Sequence, residues 1–96
     1  MRVVVSDRAF ADLADIGDWI AKDDPTRADS FVQELLDACA SLADFPERYP
    51  LLPRSTRRPL RHRVYGRHLI IYEVAEHTVT VMTIVHGARD LDTVLN

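Results

Sequence analysis

A chain of 96 residues, 47% apolar and 28% charged, lies within the range of ordinary soluble domains and far from disordered or collagen-like compositions. At this size one domain over 1–96 with one modest core is expected. With no run near the roughly 18 apolar residues of a membrane span, and no signal-peptide core in MRVVVSDRAF, a cytoplasmic location away from membranes is expected.

Taken in chain order, Arg2 to Val5 is a β-branched run that predicts a first strand, ended by Ser6. A serine there is a good helix N-cap, and Asp7 suits the first turn. Ala9, Leu13, Ile16 and Ile20 then recur at helical spacing, which predicts an amphipathic helix over 7–21. Phe10 and Trp19 are expected to widen its apolar stripe, and Asp7, Asp12, Asp15 and Asp18 to form a solvated face. Asp23-Asp24-Pro25 reads as a stop and restart, with Asp24 as N-cap and Pro25 at the first helical position. The second helix carries Ala28, Phe31, Val32, Leu35, Leu36, Cys39, Leu42 and Ala43 on its apolar face to about Asp44, where Phe45-Pro46 closes it. Cys39 is the sole cysteine; it cannot form an internal disulfide, and at mid-helix it reads as a small core residue.

Residues 46–59 hold four prolines with Arg54, Ser55, Thr56, Arg57 and Arg58, a pattern for a basic loop. Three β-rich runs follow, at about 60–65, 69–75 and 78–86, with gaps short enough for hairpins. The order β-α-α-β-β-β predicts an α+β fold of two layers: an αα-hairpin covering one face of a sheet whose last three strands form an antiparallel meander. Alternation puts Leu60, His62 and Val64 on one face of the first meander strand and Arg61, Arg63 and Tyr65 on the other. The arginines are expected side by side on the open face. The last strand is apolar on both sides, which fits an interior or covered strand.

Charge is unevenly spread. Residues 1–46 carry ten acids against four bases, and residues 47–96 carry eight arginines against five acids. Arginine suits bidentate recognition of carboxylate or phosphate, although Lys22 is the only lysine and a general replacement of lysine by arginine explains the bias equally well. Arg61 and Arg63 read as contacts for an acidic partner or a phosphate, or as solubilising edge charges. His86-Gly87-Ala88-Arg89-Asp90 reads as a site at the end of the last strand, or as a turn. His62, His68 and His77 lack metal-ligand spacing, so no metal and no cofactor are expected. Tyr65 and Tyr72 are expected to pack rather than to stack on bases.

The segments DLADIGDWIAKDDPTRADSFVQELLDACASLADFPERYP, LRHRVYGRHLIIYEV and VTVMTIVHGARDL together resemble the RelE/ParE toxin superfamily over nearly the whole chain. The resemblance implies the toxin of a type II toxin–antitoxin pair. Relatives resembling RelE cut mRNA on the ribosome; those resembling ParE, the plasmid-stabilisation type, inhibit DNA gyrase. The RelE-like basic pair is matched by Arg61 and Arg63, and a further arginine by Arg89. Leu69 and Leu95, however, stand where the nuclease branch carries an arginine and a catalytic tyrosine, and neither moves a proton or holds a phosphate. The resemblance therefore implies a ParE-like gyrase poison without catalytic residues, neutralised in a hetero-oligomer by a ParD-like antitoxin. Arg57, Arg58, Arg61, Arg63, Arg67, His86 and Arg89 are the expected contacts for antitoxin or target. The alternatives are a RelE-like ribosome-dependent endonuclease, with the arginines and His86 replacing the missing groups, and a degenerate member that acts only in autoregulation.

Overall fold

The computed structural model describes residues 1–52 and 58–87. In order these form β1 (Arg2–Val5), α1 (Asp7–Ala21), α2 (Pro25–Ala40), two 3-10 turns (Ser41–Ala43 and Pro46–Arg48), β2 (Leu60–Tyr65), β3 (His68–Ala75) and β4 (Thr78–His86). This is the expected α+β order. Both helix starts follow from their capping residues. Ser6 Oγ accepts from the Ala9 amide at 3.1 Å and donates to the Met82 carbonyl at 2.9 Å, so one hydroxyl starts α1 and ties it to β4. The Asp24 carboxylate accepts from the Arg27 amide at 3.0 Å, with Pro25 in the first turn of α2.

The second helix stops at Ala40, short of the expected Asp44. Ser41 Oγ donates back to the Ala38 carbonyl at 2.8 Å, and the chain tightens into a 3-10 turn. Pro46 disfavours right-handed helical backbone at Phe45, which takes left-handed angles (φ 52°, ψ 57°).

Strand order is β1-β4-β3-β2. β1 runs parallel to β4, and the other pairs are antiparallel, so the last strand is interior, as its two apolar sides implied. The register shifts between Ile71 and Tyr72, which face Thr83 and Val81. Met82 is the extra residue of a bulge, and it lets Val79, Val81 and Ile84 all join the core beneath the helices.

Tyr65-Gly66-Arg67-His68 and Ala75-Glu76-His77-Thr78 are two-residue hairpins. Gly66 supplies a positive φ of 58° in the first; in the second Glu76 and His77 both hold positive φ, 52° and 62°, the type I′ pattern that favours Asn-Gly. His77→Gly is therefore expected to stabilise the fold by about 1 kcal/mol, read as a higher urea midpoint at unchanged slope. No gain would mean that the turn carries no strain.

Each face of the sheet carries apolar packing. Ile70, Tyr72, Val79, Val81 and Ile84 meet Ala9, Leu13, Leu35 and Leu42 on the helical side. On the other side Leu69, Ile71 and Val85 are buried with Leu52, and Leu60 packs against them. The second face is thus partly covered by the chain entering β2. Phe10 and Trp19 do not widen the core stripe: they are 54% and 69% exposed, because the helix meets the sheet along the narrower Ala9–Leu13 line. The Trp19 ring instead lies 5.0 Å from the Lys22 ammonium. Among the described residues no helix is long and apolar enough to cross a membrane.

Candidate partner-binding surface

β2 pairs Arg61 with Tyr72 and Arg63 with Ile70, which puts both arginines on the helical side of the sheet. This corrects the expected open-face placement. Arg63 Nη1 donates to the Ala38 carbonyl at 2.8 Å and to Ser41 Oγ. Arg61 Nη1 donates to the carbonyls of Glu47 and Tyr49 at 2.9 and 2.7 Å. For Arg63 the cause is electrostatic: the last carbonyls of α2 lack helical donors and carry partial negative charge, and its guanidinium satisfies one of them; Arg61 does the same for carbonyls at and after the 3-10 turn at Pro46–Arg48.

Tyr49 is the centre of this group. Its ring lies 5.2 Å from the Arg63 guanidinium and 4.9 Å from that of Arg48, and Arg48 Nη2 donates to the Tyr49 hydroxyl at 2.8 Å. Below them the buried Tyr72 donates its hydroxyl to the Pro46 carbonyl, so both tyrosines pack. None of Arg48, Arg61 and Arg63 has a carboxylate within ion-pair distance among the described residues. Among the described residues the group is cationic and uncompensated.

The other expected contacts are dispersed. Arg58 pairs with Glu73 at 3.4 Å, and Glu73 sits across from Leu60. Arg67 is exposed in the β2–β3 turn. Its carbonyl accepts from the Gly87 amide at 2.8 Å, an approach so close that a Cβ at Gly87 would lie 3.2 Å from that oxygen. His86 stands directly across from His68, with ring centroids 5.6 Å apart and edge-on, and Phe31 is 5.5 Å from His68. Arg57 and Arg89 lie outside the described residues. Among those described, no group of three or more His, Cys, Asp or Glu could hold a metal ion.

Sequence reasoning missed Arg48 and Tyr49, and also a second polar group. Glu34 on α2 accepts from Arg27 and, at 2.6 Å, from the Tyr65 hydroxyl. The Arg27 guanidinium, and then the tyrosine, hold the Glu34 carboxyl below its ordinary value of 4.5, while the bond to Glu34 raises the Tyr65 hydroxyl. A carboxylate depressed on folding stabilises the fold above its unfolded pKa, and loses that contribution as pH falls through the folded value. The stability gap between wild type and Glu34→Gln should therefore shrink below pH 4.5 in urea unfolding; a gap constant with pH would refute the linkage. Cys39 is buried as expected. Burial pushes its thiol up to about 11 despite Arg63 nearby, which leaves no reactive thiolate at neutral pH.

Residues 3–91 match the family described as "ParE toxin of type II toxin-antitoxin system, parDE". A curated relative, "Toxin RelE2" of Caulobacter vibrioides, is 36% identical over 88 residues, 92% of this chain and 97% of its own. A solved structure titled "Chromosomal ParDE TA system from P. aeruginosa" shares the fold with a TM-score of 0.79 at 18% identity, over 91% of this chain and 96% of that one.

Proposed function

Because the chain belongs to the ParE toxin family of type II toxin–antitoxin systems, we propose that it poisons DNA gyrase by binding and is silenced by a ParD-like antitoxin. The observation that carries this reading is Leu69. It stands where the nuclease branch of the superfamily carries an arginine, and it is 8% exposed, packed with Ile71 and Val85. An apolar side chain in that cluster supports binding over RNA cleavage, which needs cations at the phosphate and groups that move protons. Arg58, Arg61, Arg63, Arg67 and His86, with Arg57 and Arg89, are proposed contacts for antitoxin or target, and Arg48 joins them. Arg61 and Arg63 act through the guanidinium donors left over from their carbonyl bonds, since each guanidinium has five. The protein works as one domain in the cytoplasm, where gyrase is found, and without a cofactor.

One arrangement favours a second reading, a ribosome-dependent mRNA endonuclease. The His68–His86 pair beside Phe31 and Tyr65 has the chemistry of a general acid and base, and the Caulobacter relative carries the name RelE2. Purified protein separates the two. The expected result is inhibited gyrase supercoiling with accumulated cleaved DNA. Message cut on translating ribosomes, with supercoiling untouched, would replace the first reading by the second; silence in both assays would leave a protein that only binds its antitoxin.

A further inference from the structure

The sheet has two edges, β1 and β2. β2 is partly occupied by its own chain: the Leu52 amide donates to the Leu60 carbonyl at 2.8 Å and the His62 amide to the Pro50 carbonyl at 3.0 Å. β1 has no such cover. The Ser6 amide donates to the Val81 carbonyl at 3.0 Å, and along a strand the residues that turn their peptide groups to one neighbour alternate, so Arg2 and Val4 face β4 as well. The amides and carbonyls of Val3 and Val5 therefore point away from the sheet, and none of the four has a hydrogen-bond partner among the described residues. Their side chains pack into the core on the helical side, which anchors the strand, while Val4 is half-buried on the other face. An anchored apolar edge with free peptide groups is a template for another strand.

The spacing of those groups selects the strand that fits. Antiparallel strands exchange two hydrogen bonds between residues that both face the join, so Val3 of one copy suits Val5 of a second, and Val5 suits Val3. That pairing is its own inverse, as a two-fold interface requires. Four backbone bonds form, and Val4 meets Val4 on the axis, where the side chains of a non-hydrogen-bonded pair come closest. Arg2 then stands across from Ser6 of the second copy, with Asp7 of that copy one residue beyond. Arg2 and Asp7 are both exposed, and neither has an ion pair among the described residues. The same operation on β2 brings arginine across from arginine with no acid in LRHRVY to offset it, which is repulsive. We infer that β1 is the contact of a toxin homodimer, in which two sheets join edge to edge into one of eight strands with β2 at either end. The join leaves Arg61 and Arg63 of both copies clear for other partners, whichever target the toxin has. A four-residue strand makes a small interface, so the association is transient and is expected at toxin concentrations of about 0.1–1 mM.

The test is sedimentation velocity of the purified toxin from about 10 µM to 1 mM, with amide exchange followed over the same range. A monomer is expected at the low end and a growing share of dimer at the high end. Exchange at Val3 and Val5 should slow as concentration rises, while Val4, bonded within the sheet, should not respond. Val3→Pro removes two of the four donors at an edge position whose N–H points to solvent, where proline is tolerated. Arg2→Asp sets like charges across the join on an exposed side chain. Each should weaken dimerisation roughly tenfold or more, and Arg2→Asp combined with Asp7→Arg should recover it. Arg2→Asp and exchange in the wild type decide the matter even where Val3→Pro fails to fold. A toxin still monomeric at about 1 mM, a dimer that neither variant loosens, or Val3 and Val5 amides protected only by added antitoxin would each overturn the inference.

Discussion

Arg63→Ala is expected to lower the stability of the fold by about 2–3 kcal/mol, whereas Arg67→Ala should stay within about 0.5 kcal/mol of wild type. Arg63 holds the Ala38 carbonyl and Ser41 Oγ where α2 gives way to the 3-10 turn, and it covers the Tyr49 ring. A hydrogen bond from a charged donor contributes about 1.5–3 kcal/mol, and partial exposure keeps the pair below the simple sum. Arg67 is exposed, and among the described residues its side chain makes no such bond. Urea unfolding of the two variants decides the matter: equal losses, or none at Arg63, would show that the carbonyl clamp contributes nothing. The result bears directly on function. A toxin that loses activity on Arg63→Ala has first lost part of its fold, so that loss says little about contact with a partner. Arg48→Ala and Arg67→Ala, which leave α2 capped, are the cleaner reporters of binding.

The elements were legible because their ends are written in local chemistry. Ser6, Asp24 with Pro25, and Gly66 each act within a few residues of themselves, and alternation or helical spacing marks what lies between. Which face of β2 meets the helices was not legible. Alternation groups Arg61 with Arg63 and Tyr65 but does not say which group faces the core, and two arginines over backbone carbonyls look, in sequence, the same as two arginines over solvent. The decision rests on carbonyls at Ala38, Glu47 and Tyr49, which are distant in sequence and invisible as side-chain pattern. The early end of α2 and the exposure of Trp19 and Phe10 escaped for related reasons. The first depends on a serine that bonds its own helix, the second on how wide a stripe the sheet can cover.

Of the candidate site, the cationic character of residues 48–67 could be read directly, since composition alone carries it. Its organisation around Tyr49 could not, because Arg48 and Arg63 meet that ring from opposite ends of a loop. The His68–His86 contact was equally hidden: it needs the β3–β4 register, which depends on the bulge at Met82. Arg57 and Arg89 were named from the sequence and lie outside the described residues.

Helical spacing alone puts Asp12 on a solvated acidic face, and the structure gives it a different part. β1 ends at Val5 while β4 continues to His86, so the later half of β4 loses its strand neighbour. Asp12 fills that gap from α1: its carboxylate accepts from the Thr83 hydroxyl and, at 3.0 Å, from the Ile84 amide, with Arg8 behind it at 3.3 Å. Ile84 is 3% exposed, so removing the acceptor leaves a buried amide unpaired. Asp12→Ala is therefore expected to destabilise the fold by about 3 kcal/mol, combining a charge-assisted bond with the orphaned donor. Asp12→Asn, which keeps an oxygen in place, should cost about 1 kcal/mol. Asp15→Ala on the exposed face should change little. Amide exchange at Ile84 should quicken in Asp12→Ala by more than global unfolding explains, because the end of β4 that carries His86 loses its tie to α1. If Asp12→Ala and Asp15→Ala unfold at the same urea concentration, the carboxylate is not capping the strand, and β4 must be held at that end by its pairing with β3 alone.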